Sequence, residues 1–200
     1  MVGTGPGGRC SELARCSIVG YHGTVLYDKY VQPCQPVTDY RTPWSGIQRH
    51  HLQNATPFAQ AREEILAALD GKVVIGHSVH NDFKVLDIAH PGHMVRDTST
   101  SPLLSRLAGL SCRRSLKVLS RRLLKRRIQG GRRGHNSVED AQAALDLYKL
   151  VEDEWEREVQ TGPRDGAAAE EPGSSSVYMQ DQYWPSHVVL HGHSGEAHEA

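Results

Sequence analysis

Close cysteine pairs, long apolar runs and a net charge are all missing from this 200-residue sequence. Its four cysteines, at positions 10, 16, 34 and 112, are scattered, which argues against a disulfide scaffold or a cysteine-rich zinc site and fits a reducing compartment. No apolar run approaches the ~20 residues that span a bilayer, and the N-terminus lacks the basic start and apolar core of a signal peptide. We therefore expect a soluble protein without a membrane partner.

The balance of 23 basic and 23 acidic residues conceals an asymmetry along the chain. Residues 1–150 carry 21 of the Lys and Arg residues and 12 of the acids, whereas residues 151–200 carry 2 and 11. Such an excess of cations attracts phosphate backbones through counterion release, and a solvated helix face or a nuclear import signal has the same composition. Ten cations with no acid among them form the basic block: Arg113, Arg114, Lys117, Arg121, Arg122, Lys125, Arg126, Arg127, Arg132 and Arg133.

Strand and helix signals alternate after an initial hairpin, which predicts an α/β fold with a mixed sheet and helices packed on it. Proline and glycine predict a loop at residues 33–47. The predicted strands are residues 13–19 and 24–31, joined by a turn at 21–23, and residues 72–75 and 93–97. Helices are predicted to begin near Thr56, Asn81, Ser115 and Ser137, with Thr56 and Ser137 as caps and glycines ending the first and third.

Residues 160–200 are rich in Gly, Pro, Ser, Ala and Glu, a composition typical of a disordered tail. The sequence therefore predicts a folded domain over residues 1–159 and an acidic tail over residues 160–200. Four tail histidines could bind a transition metal, but incidental composition explains them better because no cysteine or packed scaffold supports them: His187, His191, His193 and His198.

Three residues are candidates for chemistry. Asp82 follows a predicted buried strand, near the carboxyl end of the sheet where α/β folds place ligands, although a helix cap or an exposed acid has the same position. His135 lies in a glycine-bounded loop, and Asp140 lies on the first turn of the next helix. A carboxylate suits a hard divalent cation, and a histidine suits removal of a proton from water. Capping by Ser137 beside a surface histidine is the alternative.

Six segments together resemble the DEDDh family of 3′→5′ exonucleases, most closely its interferon-stimulated and apoptosis-enhancing nuclease branch. The resemblance spans about residues 1–158 and implies a ribonuclease H-like fold, with a mixed five-stranded sheet flanked by helices. Tail residues 178–185 resemble the same branch. The six segments are residues 1–6 (MVGTGP), 12–19, 25–30, 39–47 (DYRTPWSGI), 76–83 (GHSVHNDF) and 135–140 (HNSVED).

The resemblance implies that four acids hold two Mg²⁺ or Mn²⁺ ions over the terminal phosphodiester of DNA or RNA, with nucleoside 5′-monophosphates as products. Asp82 matches the third acid, Asp140 the fourth, and His135 the base that takes a proton from water. The loop at residues 40–47 matches the segment beside the substrate's 3′ end. Its implied substrate contacts are Arg41, Ser45, Gly46 and Ile47, with Met1 close to the terminal nucleotide.

One departure from the family pattern bears on activity. In the family pattern, the first two acids form an Asp-x-Glu pair directly before the segment that matches MVGTGP. Here that segment begins at Met1, so the pair is absent, and Glu12 aligns with the following loop instead. Two remaining carboxylates would hold two cations poorly, and loss of the first strand would leave its neighbours unpaired. The three explanations are an incomplete gene model, which we favour because the other segments are retained, a short isoform, or a diverged copy that binds without cutting.

We therefore expect a 3′→5′ exonuclease whose activity is impaired in this chain. The alternative is a non-catalytic nucleic-acid-binding fragment or isoform that uses the basic block. An interaction role for the acidic tail has only composition to support it. Residues 121–127 resemble a nuclear import signal, and the family resemblance also implies the nucleus, including the nucleolus.

Overall fold

The structure, a computed structural model, describes residues 1–110, 115–130 and 134–161. The predicted tail lies almost entirely outside these residues. The strands are β1 (Val2–Thr4), β2 (Cys10–Glu12), β3 (Arg15–Val19), β4 (Val25–Gln32), β5 (Val37–Asp39), β6 (Thr56–Pro57), β7 (Val74–Gly76) and β8 (Val95–Asp97). The helices are α1 (Thr42–Ser45), α2 (Phe58–Leu69), α3 (His80–Leu86), α4 (Pro102–Leu107), α5 (Leu116–Leu119), α6 (Ser137–Lys149) and α7 (Glu152–Thr161).

The predicted hairpin is present as the antiparallel pair β3–β4. Its turn is closed by backbone hydrogen bonds from Gly20 N to Thr24 O and from Gly23 N to Gly20 O, each 2.8 Å. Val31 on β4 is fully buried and packs with Ala61 and Ile65 of α2. The hairpin and α2 therefore form one of three core clusters of the described residues.

The sheet is divided into three ladders rather than one. These ladders have the strand orders β2-β1-β5, β3-β4-β6 and β7-β8, and the last is parallel. Among the described residues, no strand pairs with the second edge of β3 or of β7. Helix α6 packs against both of these strands. The mixed α/β architecture is thus present. In the part of the chain that the structure describes, the β3–β4–β6 and β7–β8 ladders both lie against α6, and no strand connects them as the family fold implies.

Two predicted helix caps are wrong. Helix α6 is capped by the extended residue Asn136, whose side-chain oxygen accepts a hydrogen bond from Val138 N at 3.2 Å. Ser137 is instead the first helical residue, and its hydroxyl lies 2.6 Å from that of Ser17 on β3. Thr56 pairs with β4 as part of β6, so α2 begins two residues later than predicted.

The predicted loop at residues 33–47 contains both β5 and α1. Strand β5 forms because it pairs with β1, a long-range contact that local composition does not reveal. The predicted helix after Ser115 is also interrupted, because α5 gives way to one π-helical turn at Ser120–Leu124 that ends at Lys125 in a left-handed conformation, φ 55°.

A second core cluster lies between α4, α5 and α6. Leu104, Leu119, Ile128 and Leu147 are all at most 2% exposed and pack together there. This cluster holds residues 115–130 against α6, the helix that carries Asp140 in its first turn. No described helix is long and apolar enough to span a membrane.

Candidate active site

The loop between β7 and α3 positions Asp82. Asp97, at the end of the neighbouring strand β8, accepts hydrogen bonds from Ser78 N at 2.8 Å and from Val79 N at 3.1 Å. These bonds hold the backbone that leads into α3, where Asp82 lies in the first turn. Asp97 is therefore a positioning residue that the sequence analysis missed. The sequence indicates this role only by placing an acidic residue at the end of the predicted strand 93–97.

The carboxyl group of Asp82 is reached by solvent, yet protein atoms crowd around it. The resulting loss of hydration raises the pKa of Asp82 to about 6. The positive α-amino group of Met1 lowers this pKa and the charge of Asp97 raises it further. Asp82 is consequently a carboxylate whose negative charge is poorly compensated at neutral pH, a state that favours a bound cation.

His135 lies beside Asp140, with 3.8 Å between Nδ1 and Oδ2. This separation is too long for a hydrogen bond and suits an ion pair when the histidine is protonated. Burial lowers the pKa of His135, and the positive charges of Lys117 and the Met1 amino group lower it further. The imidazole is therefore neutral at pH 7, the state that accepts a proton.

Asp140 is held by Gln129, a residue outside the six segments that carry the family resemblance. Gln129 donates a hydrogen bond from Nε2 to Oδ1 of Asp140 at 3.0 Å, and its backbone N–H donates to Glu139 at 3.2 Å. Burial nevertheless raises the pKa of Asp140 to about 6, because the loss of hydration outweighs the hydrogen bond from Gln129. Gln129 is a second positioning residue that the sequence did not indicate.

The loop at residues 40–47 supports His135 directly. The backbone N–H of His135 donates to Trp44 O at 3.3 Å. The preceding Gly134 has φ +82°, and a Cβ there would clash with Thr42 O and would lie 2.6 Å from Gly46 backbone atoms. Only glycine allows this approach. The segment expected beside the substrate and the segment carrying the expected base are therefore in backbone contact.

Two of the expected substrate contacts build that loop from within. The Ser45 hydroxyl donates to Tyr40 O at 2.6 Å and accepts from Ile47 N at 3.0 Å. Ile47 is 2% exposed, packed in the core with Val2. Gly46 ends α1 in a left-handed conformation, φ 68°. Ser45 and Ile47 thus shape the loop, and any contact they make with a ligand is restricted to their backbone or partial surface.

Arg41 occupies a different place from the one expected. It is 3% exposed and donates from Nη1 to Ser11 Oγ at 2.8 Å and from Nη2 to Gly8 O at 2.7 Å. This burial argues against a phosphate or sugar contact by Arg41. Its guanidinium instead fastens the 40–47 loop to the segment after β1.

Packing connects the two halves of the site. Helix α6, which carries Asp140, packs against β7, the strand that precedes the Asp82 segment, so the structure brings these segments to one region. Carboxylates are suitable ligands for Mg²⁺ or Mn²⁺. Within residues 1–110, 115–130 and 134–161, however, no group of three or more His, Cys, Asp or Glu side chains could hold a metal ion. The described residues therefore do not fit a complete two-ion site.

A family model described as "Exonuclease" matches residues 1–148. The chain belongs to this exonuclease family. It is 53% identical to human apoptosis-enhancing nuclease, over 100% of this chain and 63% of that protein. It is 58% identical to mouse interferon-stimulated 20 kDa exonuclease-like 2, over 82% of this chain and 45% of that protein. The chain thus spans less than two thirds of the length of these curated relatives.

Solved structures give the same result for the fold. The Saccharomyces cerevisiae Pan2 pseudoubiquitin hydrolase-RNA exonuclease module in complex with AAGGAA RNA is similar to this exonuclease-family chain, with a TM-score of 0.60 and 31% identity. The match covers 74% of this chain and 26% of that chain. The family, its branch and the ribonuclease H-like fold predicted from the sequence are confirmed.

Proposed function

We propose that this chain carries the site of a 3′→5′ exonuclease that hydrolyses the terminal phosphodiester of DNA or RNA to nucleoside 5′-monophosphates. The observation that carries the proposal is the position of His135, whose side chain lies beside Asp140 and whose backbone contacts the loop at residues 40–47. Family membership supports the reaction class. RNA is included as a substrate because the Pan2 neighbour is an RNA exonuclease with bound RNA.

His135 is the proposed base. Asp140 lies on the Nδ1 side of the ring and favours the tautomer that carries its proton there, so that Nε2 is the basic nitrogen. Transfer of a proton from water to Nε2 would give a hydroxide equivalent at the scissile phosphorus and an imidazolium stabilised by Asp140. The backbone contact with the loop at residues 40–47 positions the His135 segment beside the proposed site for the 3′ end of the nucleic acid.

Asp82 and Asp140 are the proposed ligands for Mg²⁺ or Mn²⁺. Because the described residues form no group of three ligands, we derive no step through a bound ion and propose that cleavage by this chain alone is impaired. The unpaired edges of β3 and β7 flank the place where an added strand would pair. A strand carrying an Asp-x-Glu pair, joined ahead of Met1, is therefore expected to restore metal-dependent cleavage.

The test is a cleavage assay on 3′-labelled single-stranded DNA and RNA with Mg²⁺ or Mn²⁺. It compares the chain, the strand-extended form, and Asp82→Asn and His135→Ala variants of each. Mononucleotide release by the extended form, lost in both variants, supports the proposal. An extended form that folds and binds both metal and substrate yet releases nothing would overturn it. Release by the unextended chain, lost in both variants, would show that two acids suffice and that impairment is wrong.

We also propose a nuclear location. The import-like segment at residues 121–127 has its cations Arg121, Arg122, Lys125, Arg126 and Arg127 exposed to solvent, as binding by an import receptor requires. Uniform cytoplasmic fluorescence of a tagged chain would contradict this proposal. Import by diffusion is distinguished from active import by fusing the chain to a carrier too large to diffuse through the nuclear pore.

A further inference from the structure

The basic block becomes a shaped surface in the structure. Val118, Arg121, Arg122 and Lys125 line an open recess of about 420 Å³ on the outer side of α5 and the π-helical turn. Three of its four lining residues are cations, and none is acidic. The wider π-helical turn and the left-handed Lys125, whose Nζ donates to Arg122 O at 2.9 Å, bring these cations to one concave surface.

The charges in this recess differ from the paired cations elsewhere on the surface. Arg126, on the same segment, pairs with Asp146 at 2.8 Å, and Arg15 pairs with Asp28 at 2.8 Å. Across the described parts of the chain, no carboxylate lies within ion-pair distance of Arg121, Arg122 or Lys125. Three exposed and mutually repelling cations therefore face solvent together, an arrangement that a polyanion would stabilise.

The backbone beneath the recess is firmly held. Leu119 is 2% exposed, Ser120 is fully buried and Ile128 is 1% exposed, and the two apolar side chains pack with Leu147 of α6. The cations thus project from a rigid base, which reduces the conformational entropy lost when they bind a ligand.

Both ends of this segment reach the candidate active site. At its start, Lys117 is close enough for its charge to act on His135. At its end, Gln129 donates a hydrogen bond to Asp140. The segment that carries the recess therefore adjoins the place where the proposed function puts the 3′ end of the nucleic acid.

We infer that Lys117, Arg121, Arg122 and Lys125 form a second phosphate-binding surface, which holds the nucleic-acid backbone on the 5′ side of the terminal nucleotide. This inference rests on the proposed function for the position of the 3′ end. It predicts that affinity increases with substrate length, because the recess lies outside the site proposed for the terminal nucleotide. Contacts to phosphate carry no base specificity, so the surface is expected to serve DNA and RNA alike.

The first experiment measures binding without cleavage, in EDTA, to fluorescent single-stranded oligonucleotides of about 4 and about 20 nucleotides over a range of salt. The test variant is Arg121→Gln/Arg122→Gln/Lys125→Gln. The matched control, Lys72→Gln/Arg106→Gln/Arg157→Gln, removes three exposed cations elsewhere. We expect the test variant to bind the long strand about tenfold or more weakly and to lower the salt slope by about 2, since each phosphate contact contributes about 0.7.

Length dependence is the decisive readout. The original chain and the control are expected to prefer the long strand, and the test variant is expected to lose that preference. A conservative Arg121→Lys/Arg122→Lys variant retains the charge and is expected to retain binding. Equal affinity and equal salt slope in the test and control variants would overturn the inference.

Two further outcomes separate this inference from others. Displacement of the oligonucleotide by polyglutamate at equal charge would show that the recess binds acidic protein, and would also overturn it. Because binding is measured in EDTA, it does not depend on catalysis. A chain that binds through the recess and never cleaves would contradict the proposed function and leave the phosphate surface intact.

Discussion

Asp140 approaches His135 to 3.8 Å, measured from Oδ2 to Nδ1, and both side chains are about one-fifth exposed. The carboxyl has a pKa raised to about 6 by burial, and the imidazole has a pKa lowered by burial and by neighbouring positive charge. Both shifts disfavour charge at this site. A bound cation would therefore stabilise the ionised carboxylate of Asp140. The stability of the chain is expected to depend on pH and on divalent metal ions.

The first prediction concerns stability against pH. The pKa of Asp140 is higher in the folded chain, about 6, than its ordinary value of 3.8, so the folded state binds this proton more tightly. Its contribution to stability is therefore present at low pH and is lost as pH rises through about 6. Asp140→Asn should stabilise the chain by about 2–3 kcal/mol near pH 7.5 and by nearly nothing near pH 3, below the ordinary pKa of an aspartate.

Thermal or urea unfolding at the two pH values checks this. Asparagine keeps an oxygen that can accept the hydrogen bond from Gln129, so the comparison isolates the charge. Asp153→Asn, on the exposed face of α7, is the control and should have little effect at either pH. An Asp140→Asn chain that is less stable than the original at neutral pH would contradict the burial argument.

The second prediction concerns divalent cations. Mg²⁺ or Mn²⁺ at millimolar concentration should raise the unfolding temperature of the original chain slightly near neutral pH, because a bound cation compensates the carboxylates. The effect should be weak, since the described residues form no group of three ligands. It should vanish in an Asp82→Asn/Asp140→Asn double variant and should diminish as pH falls below about 6.

The third prediction concerns Gly134. Alanine there would be strained by φ +82° and would bring Cβ into a clash with Thr42 O, so Gly134→Ala should destabilise the chain by about 1–3 kcal/mol. Gly130→Ala is the matched control, because a Cβ at Gly130 meets nothing within 4 Å. Urea unfolding measures both. Equal stability of the two variants would show that the loop yields and that its contact with the histidine segment is weak.

The fourth prediction distinguishes the two roles of Arg41. If it acts as the buried fastening seen in the structure, Arg41→Lys should cost about 2–4 kcal/mol, because lysine cannot reach both Ser11 and Gly8 O. If it were a substrate contact, the same change would weaken oligonucleotide binding and leave stability unchanged. Unfolding and binding measured on one sample decide between these outcomes.

Local sequence pattern was sufficient to predict those helices and strands whose residues interact mainly with near neighbours along the chain. The β3–β4 hairpin and helix α6 follow from alternation, turn residues and helical spacing. Motif content was sufficient to single out Asp82, His135 and Asp140 as candidates. The helix caps were harder to predict, because Asn136 and Ser137 are both residue types that cap helices well. The extended backbone of Asn136 identifies it as the cap of α6.

Residue types at short, fixed spacings were thus enough to assign the family, the α/β class and the three candidate residues. Four features became visible only in the folded chain: Arg41 is buried, Gln129 holds Asp140, Asp97 holds the loop before Asp82, and the sheet is divided beneath α6. Each of these depends on contacts between segments distant along the chain. Such contacts are set by how the core clusters pack, and no local pattern encodes them.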